Sequence, residues 1–331
     1  MAGKTNRREF VQVAGLAASG LMASARPLVG AVPEPQAQRA PSTMGSRFRA
    51  LMNGPEPLIC PGAYDVLTAR LIEVHGFKGA FIGSSVVNQA LVGLPDQAIV
   101  TVSELIDYYI TIASNVNIPV LADVDDFGAS PLNVYRFAKQ AERGGIGCAA
   151  FDDRMPINRA TGYAVPGVFP KARMIDNIHA AADARTDMVL IARCLAPTPN
   201  NSYTEMLDRA AAYAEAGADA VWIALPTAQD YVKAADMVKK PLMAVIGGAN
   251  FPATAAAMKA ARVSVGQSAS MVNIALGAVD RALVELKTTG RMAEAQKNAL
   301  NRETSDKIEQ VAELNARSQK YNLPRGSAPE R

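Results

Sequence analysis

Histidine and cysteine are scarce in this chain, and several common signatures are missing altogether. The 331 residues include two His and three Cys. His75 and His179 fall in segments with helical patterning, away from any strand end, so no imidazole acid–base role is expected. Cys60, Cys148 and Cys194 are odd in number, widely spaced and set in or beside apolar runs. They show no CxxC spacing, which argues against a zinc site and for buried free thiols. No stretch of 18 consecutive apolar residues occurs, so no ordinary spanning helix is expected. With a net charge of +3 and no long basic run in the body, nothing points to nucleic acid. No GxGxxG opens a helix after the first strand-like segment, which weighs against a dinucleotide fold.

What is present begins with an unusual N-terminus. Arg7-Arg8-Glu9-Phe10-Val11 precedes a weakly hydrophobic, Ala- and Gly-rich stretch to Met22, followed by the small-x-small site Ala23-Ser24-Ala25. Residues 1–25 therefore read as a twin-arginine signal peptide, with a periplasmic or otherwise exported destination and no stable membrane insertion after cleavage. Residues 26–50 begin with a Pro-, Ala- and Gln-rich stretch and read as a flexible tether.

From Pro57 onward short apolar runs alternate with longer amphipathic ones. Strands are expected at Leu58-Cys60, Gly79-Ile82, Val120-Asp123, Gly147-Phe151, Met188-Arg193, Ala220-Ile223, Leu242-Ile246 and Val263-Val265. Helical segments lie between most of them. This alternation predicts a parallel β/α protein, and the count favours a closed (β/α)8 TIM barrel over residues 51–290. A doubly wound open sheet is the alternative. One further helix is expected from Ser268 to about Thr289 and another from Arg291 to about Lys320, the latter with Leu300, Ile308, Val311 and Leu314 on one stripe. Residues 291–331 thus form a C-terminal helix ending in a disordered tail. These extra C-terminal helices exceed what one barrel needs and would pack on a neighbouring subunit or cover the barrel bottom.

The chemistry is signalled by acids at strand ends. Asp123 and Asp125 end the third strand, and Asp152-Asp153 end the fourth. In a (β/α)8 barrel these positions form the active-site rim. Converging carboxylates repel unless protons or a cation intervene. An all-oxygen set suits Mg²⁺, with Mn²⁺ as a substitute. The other reading is that some of these acids cap the helices that follow. Arg193, ending the fifth strand, offers the two-pronged grip that suits a carboxylate or phosphate. The Gly83-Ser84-Ser85 turn offers backbone N–H groups for the other end of a small anion. Together these groups suit a small α-oxo acid whose enolate charge a metal would stabilise.

The order PGAYD (61–65), GLPD (93–96), LADVD (121–125), two acids after the fourth strand and IAR (191–193) resembles the isocitrate lyase and phosphoenolpyruvate mutase superfamily. So does AYAEAGAD (212–219) before the sixth strand. The resemblance implies a (β/α)8 barrel, a homotetramer with exchanged C-terminal helices, and Mg²⁺-dependent lyase, mutase or hydrolase chemistry on α-oxo acids such as oxaloacetate or phosphonopyruvate. It assigns Asp96, Asp123, Asp125 and Asp152 to the metal, with Asp152 in place of a common Glu. It assigns Tyr64, Asp65, Ser84, Ser85 and Arg193 to substrate.

The departures are informative too. The lyase branch carries a KKCGH-type loop after the fourth strand, where this chain has Asn158-Arg159-Ala160-Thr161-Gly162. A typical isocitrate or methylisocitrate lyase is therefore not expected, and Arg159 is the candidate catalytic group from that loop beside Arg193. The family's DTGFGN becomes Asp125-Asp126-Phe127-Gly128-Ala129-Ser130, so a reshaped loop is expected. A common Glu after the sixth strand is Ala224, and the polar turn after the seventh is Val245-Ile246-Gly247-Gly248. Loss of these rim groups leaves a second reading open: a catalytically degenerate exported barrel that binds a small carboxylate or a protein partner.

Overall fold

The structure is a computed structural model that describes residues 43–128, 130–154, 167–195, 202–248 and 251–322. Eight parallel strands close into a barrel in sequence order: β1 (Leu58–Gly62), β2 (Ala80–Ile82), β3 (Val120–Asp123), β4 (Cys148–Asp152), β5 (Val189–Arg193), β6 (Ala220–Trp222), β7 (Leu242–Ile246) and β8 (Val263–Ser270). β8 pairs with β1, as Leu58 opposite Val265, which leaves no open edge. All eight expected strands are present, and the chain is a TIM barrel with added C-terminal helices.

The period-two alternation of these short strands splits their side chains between two apolar regions. Leu58, Cys60, Phe81, Leu121, Cys148, Ile191, Trp222, Met243 and Val265 fill the barrel interior. The other parity packs against the surrounding helices. Those helices are α1 (Met44–Met52), α2 (Val66–Val74), α3 (Ser84–Val87), which runs into a π-helical turn over Asn88–Val92, then α4 (Val102–Ala113), α5 (Pro131–Arg143), α6 (Lys171–Ala184), α7 (Tyr203–Glu215), α8 (Ala228–Val238) and α9 (Ala255–Ala260). All three cysteines are buried and none is in a disulfide.

Helix α1 corrects the tether boundary: residues 44–50 are helical rather than extended linker. The reason is burial. Phe48 and Met52 plug the N-terminal end of the barrel beside Leu58 and Val189. A Cβ on Gly45 would come within 2.5 Å of the Asp187 carbonyl oxygen, so glycine is what lets α1 lie against the strand. The same end is tied by Asp219. It accepts from Arg49 at 2.5 Å, from Arg185, and from the Leu190 N–H at 2.9 Å. Burial opposes the Asp219 charge, but the hydrogen bonds from the two arginines carry its pKa below the usual carboxylate value.

Beyond the barrel, α10 (Val272–Thr289) ends at Gly290 in a left-handed C-cap. The single helix expected from Arg291 to Lys320 is instead three: α11 (Ala293–Gln296), α12 (Arg302–Ile308) and α13 (Val311–Lys320). Asn301 caps α12, and Gln310 adopts a left-handed φ of 57° ahead of α13, which breaks the period. Of the expected stripe only Ile308 is buried, while Leu300 and Leu314 are exposed. Arg70 holds α12 by donating to the Ile308 carbonyl at 3.0 Å and to Gln310 Oε1 at 3.1 Å. Among the described residues no helix is long and apolar enough to cross a membrane. The signal peptide, most of the tether and the expected tail beyond Asn322 lie outside the described residues.

Candidate active site

The mouth of the barrel is built by the last inward-facing residue of each strand. Asp123, Asp152 and Arg193 share the parity of the interior positions Leu121, Ala150 and Ile191, one step further along. They therefore emerge where the apolar interior ends. Strand register sets Asp152 beside Arg193 and Arg193 beside Trp222. Asp123 is 5% and Asp152 1% exposed, so these carboxylates sit in a poorly solvated layer.

Arg193 is fixed from two sides. Its Nη1 donates to Asp123 Oδ2 at 3.2 Å, and its guanidinium carbon lies 3.8 Å from the centre of the Trp222 ring. Stacking on indole together with a carboxylate contact suits Arg and would not suit Lys. Trp222 itself is buried and meets Phe81 edge-on at 5.8 Å across the interior. It is core, as its strand position implies, and it also supports the arginine.

The β3 loop brings in a third acid. Asp125 adopts a φ of 50° and Phe127 a φ of 57°. The turn is thus made by non-glycine residues, and Gly128 follows at 97°. A left-handed Phe is costly, of order 1–3 kcal/mol, and here it is held by burial against the Phe151 ring at 5.7 Å. The loop is pinned further by Gly128 N–H donating to Asp126 Oδ1 at 2.8 Å. Its entry is anchored by the buried Tyr109 hydroxyl, which donates to the Asp123 carbonyl at 2.5 Å. Ser84 Oγ donates to Asp125 Oδ1 at 2.8 Å, which joins the β2 turn to this loop.

The electrostatic consequence is that the acids compete for charge. Burial pushes Asp125 up to about 8, helped by the charges of Asp123 and Asp152 and opposed by Ser84. Burial pushes Asp152 up to about 7, with Arg193 opposing and Asp123 adding. Asp123 is raised by burial as well, although Arg193 and Arg154 pull it back. Asp123 Oδ1 is buried with no hydrogen-bond partner among the described residues. Such an oxygen, beside two further acids, suits a cation. Among the described residues no three His, Cys, Asp or Glu side chains close into a direct ligand set. The donors present, Asp123, Asp125 and Asp152, are all oxygen, the chemistry that suits an ion of the Mg²⁺ type.

The remaining predicted site residues divide. Asp65 is the N-cap of α2, accepting from the Thr68 N–H at 2.7 Å in a capping box, so the structure gives it a structural task. Tyr64 packs partly buried beside it, its carbonyl accepting from the Tyr108 hydroxyl at 2.9 Å. Ser84 is buried at the start of α3, and Ser85 follows half-buried. Asp96 lies half-buried in the loop between Val92 and Val102. Arg159, with the Asn158 to Gly162 loop, lies outside the described residues.

Three features escaped the sequence reading. Asp153 turns away from the mouth. It accepts from the Tyr213 hydroxyl at 2.8 Å and from the Leu195 N–H at 2.9 Å, and Arg209 stands 3.7 Å off. It is a strut between the β4 and β5 loops, not a fourth rim acid. Tyr109 lies in the middle of a helix, where nothing in a linear pattern distinguishes it from packing. Gln267 on β8 is 7% exposed and its Oε1 has no hydrogen-bond partner among the described residues. The one amide side chain in that strand, at the parity of Val265, was the available signal for it.

A model of the family described as phosphoenolpyruvate phosphomutase matches residues 48–287. The chain belongs to this family. A 2-methylisocitrate lyase of Salmonella typhimurium is 30% identical over 263 residues, which is 78% of this chain and 88% of that enzyme. A 2,3-dimethylmalate lyase of Eubacterium barkeri is 28% identical over 57% of this chain, and the match spans 65% of that enzyme, just under two thirds. Among solved structures, a phosphonopyruvate hydrolase in complex with oxalate and Mg²⁺ superposes with a TM-score of 0.73 at 25% identity, covering 85% of this chain and 99% of the other. An oxaloacetate acetylhydrolase bound to an inhibitor superposes at 0.76 with 23% identity over 86% of this chain and 98% of the other, a likeness of fold. The family-matched segment contains the whole acid and arginine cluster of the barrel mouth.

Proposed function

We propose that this phosphomutase-family protein is a Mg²⁺-dependent lyase, mutase or hydrolase of a small α-oxo acid, working through enolate charge on the substrate. The observation that supports this most is the pairing of Asp123 with Arg193 beside Asp125 and Asp152 at the strand ends. Asp123, Asp125 and Asp152 would hold the cation, with Asp96 contributing from its loop. When bound, the cation supplies Lewis-acid stabilisation of the charge that grows on the oxo oxygen. Arg193, already oriented by Trp222, would grip the substrate carboxylate. The N–H groups that open α3 at Ser84 and Ser85 would face its other oxygens, with Tyr64 closing the side. Asp65 enters this arrangement only through the helix it caps. Arg159 is proposed as the group that reaches the substrate from the loop after β4. Loss of the lyase Cys at Ala160 favours chemistry that needs little proton transfer from side chains, such as decarboxylation or P–C bond chemistry, over isocitrate cleavage.

The test is oxalate binding, since oxalate imitates the enolate of pyruvate. Trp222 is the one tryptophan of the chain and lies against Arg193, so its emission reports the site directly. Mg²⁺-dependent oxalate binding that disappears in Asp123→Ala, followed by turnover of oxaloacetate or phosphonopyruvate, is the expected result. Binding without any turnover across α-oxo acids would favour the degenerate, carboxylate-binding barrel. No oxalate binding with or without Mg²⁺ would sink the enolate reading.

The protein is also proposed to be a homo-oligomer, with a tetramer as the family resemblance implies. Helix α10 buries only Val272, while Leu276, Val279, Leu283 and Leu286 lie exposed along one stripe. A second copy of the chain is the occupant proposed for that stripe. A monomer in sedimentation at micromolar concentration would overturn this. Export through the twin-arginine route is proposed from Arg7-Arg8 and Ala23-Ser24-Ala25, and cell fractionation of an Arg7→Lys, Arg8→Lys variant tests it.

A further inference from the structure

The barrel mouth changes character half-way round. On β3, β4 and β5 its inward residues are Asp123, Asp152 and Arg193; on β6 and β7 they are Trp222 and Val245. Val245 shares the inward parity of Met243 but stands beyond the last filled layer, and it is 46% exposed. Next to it a cavity of about 250 Å³ opens between the loops that leave β6 and β7. Ala224, Leu225, Pro226, Tyr231, Val245 and Phe251 line it, and among the described residues none of its lining is charged.

The polar side chains of that lining, Tyr231 and Thr227, are already used. The Tyr231 hydroxyl donates to the Ile223 carbonyl at 3.0 Å and accepts from the Leu225 N–H at 3.2 Å. Thr227 caps α8 by accepting from the Asp230 N–H at 3.2 Å, and its hydroxyl donates to Asp230 Oδ2 at 2.7 Å. The start of α8 therefore meets the cavity with its cap filled and an acid in its first turn, which disfavours a second anion there. The walls are also braced against each other. The Tyr231 and Phe251 rings pack at 5.5 Å, and the Gly247 N–H closes the β7 loop onto the Phe251 carbonyl at 2.8 Å. A carboxylate placed here would lose its hydration and meet no cationic side chain in the lining, whereas an alkyl group would lose only water contact.

Resting on the α-oxo acid reading above, we infer that the β6–β7 side of the mouth is an apolar subsite, and that the substrate carries an alkyl substituent there in place of a second carboxylate. One end of the molecule is the α-oxo acid held by Arg193; the other is a branched or straight hydrocarbon group facing Val245 and Leu225. Val245 is the specificity-determining position, since it is the exposed apolar residue that stands in the mouth itself.

The experiment measures displacement of oxalate, followed by Trp222 emission in the presence of Mg²⁺, by two α-oxo acids of matched shape. Oxaloacetate carries a carboxylate on its methylene; the partner compound carries an isopropyl group on the same methylene. The isopropyl compound is expected to displace oxalate at concentrations about tenfold lower or better, the scale of apolar-pocket discrimination. Val245→Lys is expected to reverse that order by offering the carboxylate a counter-charge. Val245→Asn, a milder change in case the lysine variant does not fold, is expected to narrow the ratio. If oxalate binds but oxaloacetate competes equally or better, the subsite inference falls and the α-oxo acid reading stands. If oxalate itself fails to bind, both fall together.

Discussion

Asp125→Asn probes the central electrostatic claim, that the mouth acids are held together against their own repulsion. In the fold Asp125 titrates at about 8, against an ordinary 3.8. Between those values the native state keeps a proton that the unfolded chain has released. The native state thus binds more protons than the unfolded one, and stability falls as pH rises through this window. At about 1.36 kcal/mol per pH unit, the loss between pH 4 and pH 7 is about 4 kcal/mol as an upper figure. Asp125 is only half-buried, and partial solvation reduces this to about 2 kcal/mol. The asparagine variant keeps the shape and never acquires the charge. Urea unfolding of the cation-free protein, followed by Trp222 emission, should show the variant gaining about 2 kcal/mol on the wild type between pH 4 and pH 7. Mg²⁺ at pH 8 should then stabilise the wild type more than the variant. A stability difference that stays constant from pH 4 to pH 8 would refute the claim that Asp125 is charged at a cost.

Other outcomes follow from the same geometry. Arg193→Lys keeps the charge but loses the planar stack on Trp222 and the two-pronged grip, so kcat/KM should drop by about a hundredfold, with a shifted Trp222 emission maximum. At the opposite end, Asp219→Ala leaves Arg185 and Arg49 without their shared carboxylate, and thermal unfolding should register a loss of about 3 kcal/mol. Because the Asp219 pKa is depressed in the fold, its contribution is present above about pH 4 and is lost as pH falls further; the Asp219→Asn deficit should shrink in acid accordingly. Gly45→Ala pushes a Cβ to 2.5 Å from the Asp187 carbonyl oxygen and should cost about 1–3 kcal/mol while leaving the mouth residues in place, measurable as a lower unfolding midpoint with unchanged oxalate affinity.

The resemblance of the motifs was legible because the family's chemistry is written at strand ends. LADVD and IAR are short, local and tied to parity, so Asp123, Asp125, Asp152 and Arg193 could be assigned to one rim before any coordinates. Asp65 and Asp153 were not separable from them on the same grounds. An acid after a strand can face the mouth, cap a helix or brace a neighbouring loop, and those choices depend on Thr68, Tyr213 and Arg209, which lie up to 60 residues away. The C-terminal stripe misled for a related reason. Its helical period is real, but Asn301 and the left-handed Gln310 interrupt it, and only Ile308 finds a buried place.

The amino-acid sequence alone determined a parallel β/α protein, since eight short apolar runs separated by amphipathic segments need helices around them to bury both strand faces; the pairing of β8 with β1 decided that the sheet closes. The sequence also determined which residues end those strands. What the tertiary structure decided was how those ends share charge and space. Arg193 gained its place by stacking on Trp222 of the next strand, Asp125 by a left-handed turn braced against Ser84, and the apolar half of the mouth by Val245 standing above Met243. The stack depends on register between neighbouring strands and the Ser84 contact on two loops meeting, which no local pattern encodes, because burial and pairing are properties of the closed barrel and not of any one segment.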